Sequence, residues 1–151
     1  MCTGNVCRSP MGEALVAHYV DLMGLDANVI SRGFAAPVGR SPHPHALSVA
    51  QSHGVPIAEE KRAAAVNSAD MVMATAIFVM DEGHRREVQR RYPTALGKTF
   101  LLGQWQGQEI ADPINDPLSV FESVWAQCDA GAKEWVKRLQ EAGMLRVNAV
   151  V

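Results

Sequence analysis

The chain has 151 residues, 48% of them hydrophobic, enough for one domain with a substantial core. A formal net charge of −2 gives no footing for nucleic-acid or membrane-surface binding, and no apolar run nears the ~20 residues of a membrane span. No signal peptide is expected, and three cysteines, an odd number, do not make a disulfide framework, so a reducing cytoplasm is the expected location.

The first stretch, Cys2-Thr3-Gly4-Asn5-Val6-Cys7-Arg8-Ser9-Pro10, sets a cysteine six positions before an arginine, with a helical pattern opening at Pro10. A cysteine attacks phosphorus as a thiolate, and a helix N-terminus and a nearby arginine both stabilise a thiolate. Gly4 and Asn5 are suited to positive φ, which turns successive backbone N–H groups inward around an anion. Arg8 can grip two phosphate oxygens in a planar fork. A buried strand normally aims such a loop, yet only Met1 precedes Cys2.

Pro10 to about Gly24 is predicted helical from Met11, Ala14, Leu15, His18, Tyr19 and Leu22. Residues 28–31 are a strand candidate, 34–44 a loop, and 44–53 a second helix capped by Gly54. Residues 62–74 read as Ala-rich helix, with Asn67 or Ser68 capping a second short segment. The apolar run 76–80 fits a strand buried on both faces and ends at Asp81. A charged helix over 82–92 carries Arg85, Arg86, Arg90 and Arg91 interleaved with Glu82 and Glu87, which makes a solvated face. Residues 98–103 form another strand, 104–117 a loop with two Asp-Pro pairs, and 118–142 a long helix with Val120, Phe121, Val124, Trp125, Cys128, Trp135 and Leu139 on its apolar side. A β-branched tail, 145–151, ends the chain. Alternating strands and helices predict an α/β domain with a parallel sheet, whose ligands sit at the carboxyl ends of the strands.

The blocks CTGNVCRSPMGEAL (2–15), Ser31-Arg32-Gly33, 76–81, GKTFLLGQW (97–105) and 110–113 occur in one order over nearly the whole chain. In these blocks the chain resembles the low-molecular-weight protein tyrosine phosphatases, most of all the bacterial members associated with capsule and exopolysaccharide export. The resemblance implies a three-layer α/β/α fold with a four-stranded parallel sheet. That family has a buried strand directly before its nucleophilic cysteine. The tail has this character, so residues 145–151 are expected to supply the strand. Residues 1–151 are then one phosphatase domain, circularly permuted, with old ends joined near 143–144.

By the same resemblance, Cys2 is the nucleophile that forms a phosphocysteine, Arg8 the phosphate clamp, and Thr3, Gly4, Asn5, Val6, Cys7 and Ser9 the phosphate-binding loop. Ser31 supports the loop through Asn5. Asp112 is the general acid and base; Asp116 is a second candidate, whose alternative role is to cap the helix that follows, with Pro117 at its first position. Phe34, Pro37, Val38 and Ile114 form the substrate rim, with Ile114 where many relatives carry an aromatic. His43-Pro44-His45 replaces a family Asp-Pro-Arg-like segment, and Thr75 replaces an aspartate. Cys7 matches the family's second loop cysteine, which can form a disulfide with the nucleophile; Cys128 reads as core. His18, His53 and His84 read as helix-surface or boundary residues. No histidine spacing resembles a metal site, and no cofactor is expected. The expected substrate is a phosphotyrosine protein, with a tyrosine autokinase of polysaccharide export the suggested partner and inorganic phosphate the product or inhibitor. The alternatives are a thiol-dependent arsenate reductase, which needs further relay cysteines, and a phosphate-binding module with impaired turnover.

Overall fold

The computed structural model describes residues 1–147. Its centre is a parallel pair, β2 (Ile77–Val79) and β3 (Thr99–Leu101), with Ile77 opposite Thr99 and Val79 opposite Leu101. Successive side chains alternate between faces. Ile77 and Val79 join Phe34, Met71, Val88 and Ala95 on one side, while Phe78 meets Trp135 at 4.9 Å on the other. The expected burial on both faces is therefore present.

The sheet continues beyond β2 by single residues. Met1 N donates to Phe78 O, Cys2 bridges Gly33 in parallel, and Gly33 bridges Ala65 in parallel. Cys2 itself therefore occupies the place between β2 and Gly33. Gly33 has no room for a side chain there, because a Cβ would sit 2.7 Å from Thr3 O.

The tail does not enter this sheet over the described residues. β4 (Arg146–Val147) runs antiparallel to β1 (Leu25–Asp26), a separate two-stranded pair. The cause is local. The long helix α5 (Leu118–Glu141) is followed by Gly143, whose φ of 71° reverses the chain, and Met144 N returns to Leu139 O at 3.0 Å. Leu145 then packs against Val20, Leu25 and Val136. So residues 145–147 do not supply the strand before Cys2. The rest of the expected tail strand, 148–151, lies outside the described residues.

Three layers result. Helices α1 (Arg8–Leu22), α2 (Pro44–Ser52) and α5 share the core of Met11, Leu15, Val49, Phe121, Val124, Trp125, Cys128 and Trp135. Helices α3 (Ser68–Met73) and α4 (Glu82–Arg91) cover the other face through Met71 and Val88. Gly131 lets α5 lie directly on the sheet, since a Cβ there would stand 2.4 Å from Leu102 O.

Two predicted elements are absent. Residues 28–31 form no strand, and 62–67 form no helix. The backbone groups of 63–66 bond across the chain instead: Gly33 N to Ala64 O at 2.9 Å, Ala63 N to Arg40 O at 2.8 Å, Val66 N to Gly33 O at 3.1 Å. Asn67 then caps α3, its side chain accepting from Asp70 N at 2.9 Å.

Candidate active site

The loop expected to bind phosphate runs straight from the Cys2 bridge into α1, which starts at Arg8, two residues before the predicted Pro10. Of the two residues suited to positive φ, Asn5 adopts it, at 54°, and Gly4 does not. That turn brings Asn5 N within 3.3 Å of Cys2 Sγ. Ser9 Oγ stands 3.0 Å from the same sulfur. Cys2 is 3% exposed, so these two donors act on it in a medium of low dielectric.

The direction of the Ser9 hydroxyl follows from its neighbours. Asn5 Oδ1 accepts from Ala64 N at 3.0 Å, which fixes the amide orientation. Asn5 Nδ2 then donates to Ser9 Oγ at 2.8 Å and Ser31 Oγ at 2.9 Å. With its oxygen already accepting, Ser9 is left to donate to sulfur. Ser31 in turn donates to Glu13 Oε2 at 2.5 Å, and Lys61 Nζ pairs with that oxygen at 3.0 Å. A hydrogen-bonded chain thus runs from the Glu13–Lys61 ion pair to the Cys2 thiol. Ser31 and Asn5 meet as expected; Glu13 and Lys61 carried no signal in the sequence.

Arg8 is buried against three segments. Its NH1 donates to Asp81 Oδ2 at 3.1 Å and to Ile110 O at 2.8 Å, and its NH2 lies 3.7 Å from Asp112 Oδ2. Asp112 is half exposed and its Oδ1 accepts from Ile114 N at 3.2 Å. Asp116 makes no ion pair among the described residues. It does not cap α5 either: Pro117 stands at the cap position and no side chain caps that end.

Asp81 is a site residue the sequence reading passed over. It caps α4, with Oδ1 accepting from His84 N at 2.9 Å, and its other oxygen holds Arg8. Burial alone would raise its carboxyl, but the His84 N–H and ring and the Arg8 guanidinium outweigh that and hold it below the usual carboxylate range. Its position between a buried strand and a helix start was the available signal.

His84 corrects an expectation. It is not a helix-surface residue but is buried beside the loop, with Nε2 3.0 Å from Thr3 Oγ1. His53 is exposed and pairs with Glu122 at 2.7 Å. Phe34 also departs from its predicted place on the rim. The residue is 8% exposed, its ring stacked on His84 at 5.5 Å with the Arg91 guanidinium 5.6 Å from its centre. Pro37, Val38 and Ile114 are exposed. His43 takes over a capping role at α2, its Nδ1 accepting from His45 N at 3.0 Å, while its N–H donates to Val6 O of the loop at 2.8 Å.

The other two cysteines are free and buried. Burial, aided by the Asp112 charge, pushes Cys7 up to about 12, and burial does the same to Cys128 in the core. No cluster of metal-ligating side chains exists among the described residues.

Comparison with known proteins gives the family and the fold. The family model described as "Low molecular weight phosphotyrosine protein phosphatase" matches residues 1–145. The probable low molecular weight protein-tyrosine-phosphatase EpsP of Ralstonia nicotianae is 36% identical over 143 residues, covering 95% of each chain. Among solved structures, the tyrosine phosphatase Wzb from Escherichia coli K30 in complex with sulphate has a TM-score of 0.85 at 31% identity, over 91% of this chain and 94% of that one. The YwlE arginine phosphatase from Geobacillus stearothermophilus has a TM-score of 0.84 at 32% identity, over 95% and 92%. The chain belongs to the low-molecular-weight protein-tyrosine-phosphatase family.

Proposed function

We propose that this chain, acting as one domain, hydrolyses phosphotyrosine on a protein through a phosphocysteine, with Cys2 as nucleophile, Arg8 as phosphate clamp and Asp112 as general acid and base. The observation that carries the reading is the pair of donors on Cys2 Sγ, Ser9 Oγ at 3.0 Å and Asn5 N at 3.3 Å, at the start of α1. Hydrogen bonds to the charged form and a helix N-terminus both favour a thiolate.

The sulfur attacks phosphorus and the P–O bond to the ring breaks. Asp112 gives its proton to the departing phenolate. The loop N–H groups and Arg8 hold the three equatorial oxygens where charge spreads in the transition state. Asp112, now a carboxylate, takes a proton from water as that water attacks phosphorus. The S–P bond breaks, and inorganic phosphate leaves with the thiolate restored. Asp112 is favoured over Asp116 because it reaches Arg8, at 3.7 Å.

Pro37, Val38 and Ile114 are each exposed, which leaves them free to serve as the aliphatic rim inferred for an aryl ring. The substrate we infer is an autophosphorylating tyrosine kinase of polysaccharide export, and the compartment is the cytoplasm, where a thiolate stays reduced. A thiol relay for arsenate reduction finds little support, because Cys7 and Cys128 are buried, weakly acidic thiols.

The test is hydrolysis of a phosphotyrosine peptide beside a phosphoarginine peptide, since one structural neighbour is named an arginine phosphatase. Cys2→Ser should abolish turnover. Asp112→Asn should slow kcat by about 100-fold, most for poor leaving groups, with Asp116→Asn within about twofold of the parent. Full activity in Cys2→Ser, or a larger effect at Asp116, overturns these assignments, and preference for phosphoarginine overturns the substrate class.

A further inference from the structure

One ionisable side chain at the site has no part in the chemistry above. His84 is 5% exposed, and its Nδ1 is buried without a hydrogen-bond partner. A buried polar atom left without a partner is costly, so its retention calls for a reason. Three residues surround this ring, Thr3, Phe34 and Asp81. Nε2 lies 3.0 Å from Thr3 Oγ1. The face stacks on Phe34, with centroids 5.5 Å apart and planes 21° apart. Nδ1 lies 3.5 Å from Asp81 Oδ1, and the backbone N–H of His84 donates to that same oxygen at 2.9 Å. The second Asp81 oxygen holds Arg8 NH1 at 3.1 Å.

Thr3 and Arg8 flank the loop at its two ends, directly after the nucleophile and at the start of α1. Both ends are therefore tied to one helix cap, Thr3 through the His84 ring and Arg8 through the Asp81 carboxylate. We propose that His84 is a positioning residue of the phosphatase reaction, joining Thr3 to the Asp81 cap so that the width of the phosphate loop is set by α4. The role in catalysis rests on the phosphatase reading above; the role in shaping an anion-binding loop does not need turnover.

The proton arrangement follows from the charges. A neutral imidazole carries one N–H and one bare nitrogen. The Asp81 carboxylate next to Nδ1 favours the proton on that side, an assignment from electrostatics. Nε2 is then the acceptor, and the Thr3 hydroxyl donates to it. Burial keeps the ring neutral, with its pKa pushed down to about 4. Thr3 is itself exposed, so this bond is what holds its side chain against the wall. Without it, the loop residue next to the nucleophile loses its lateral support.

Asparagine and glutamine separate the two ring nitrogens, because an asparagine amide reaches about where Nδ1 stands and a glutamine amide about where Nε2 stands. Binding of inorganic phosphate to the whole chain, measured by calorimetry, and kcat/KM on p-nitrophenyl phosphate are the readouts. His84→Asn should weaken phosphate binding and kcat/KM together by about tenfold, and His84→Gln should restore both to within about threefold. Thr3→Val should match His84→Asn, and the double variant should be no worse than either single one. Equal effects of Asn and Gln, or losses that multiply in the double variant, overturn the proposal. Should His84→Asn fail to fold, Thr3→Val must still lose what His84→Gln keeps. Activity surviving in Cys2→Ser while Thr3→Val weakens phosphate binding would remove the nucleophile assignment and leave His84 in place.

Discussion

Arg8 is held from three directions, by the Asp81 carboxylate, the Ile110 carbonyl and the more distant Asp112. Only a planar fork can serve such partners and still present N–H groups to a phosphate, which an ammonium cannot do. Arg8→Lys should lower kcat/KM on an aryl phosphate by about 100-fold with the charge retained. A loss under about threefold would show that charge alone suffices. His84 gives the residue scale its pH signature. The unfolded chain protonates this histidine near 6.5, the folded chain only at about 4. Between those values the unfolded state binds more protons, so stability falls as pH falls, by up to ~1.4 kcal/mol per pH unit. Denaturant titrations from pH 7 to pH 4 should show this slope, flattened in His84→Gln. The Asp81 carboxyl, held low, adds a loss that sets in as pH drops through the ordinary carboxylate value and is complete once pH has passed its lower folded pKa. The meeting of Cys2 and Arg8 in one loop was legible in the sequence because it is encoded by spacing over a few residues. The placement of Asp81 and His84 beside that loop was not, because it depends on which distant segment the start of α4 meets.

At the scale of elements, burial decided what could be read. The run over 77–79 announced itself as a strand because both its faces are covered, and α5 did so through its apolar side. Residues 62–67 look helical by composition, yet their N–H and C=O groups are claimed by Gly33, Arg40 and Asn5. Composition carries no record of such partners. Asn67 marks the true start of α3, and Asn67→Ala should cost about 1 kcal/mol in chemical denaturation. Gly131 is the sharper test of how α5 meets the sheet. A Cβ there would lie 2.4 Å from Leu102 O, which is backbone and cannot swing away. Gly131→Val should destabilise by about 2–3 kcal/mol, and a value under 0.5 kcal/mol would mean that helix and sheet separate freely.

For the whole molecule, the described part of the expected tail strand, 145–147, departs from the sequence expectation. That expectation treated a β-branched run as a strand for the central sheet, while Gly143 turns the described part of that run toward β1. What the sheet does at its centre has a further consequence. The Met1 bond to Phe78 spans 77 residues, the Asn5 bond to Ala64 spans 59, and the Arg8 bond to Ile110 spans 102. Contacts this far apart in sequence close late, after the loop entropy between them has been overcome. The phosphate loop is a local stretch of chain, but its shape is a long-range product. On refolding, hydrolysis of an aryl phosphate should therefore return with the slowest phase of burial at Trp125 and Trp135, never ahead of it. Enzyme turnover in this chain is then a clock for the completion of folding, readable at concentrations far below those that spectroscopy needs.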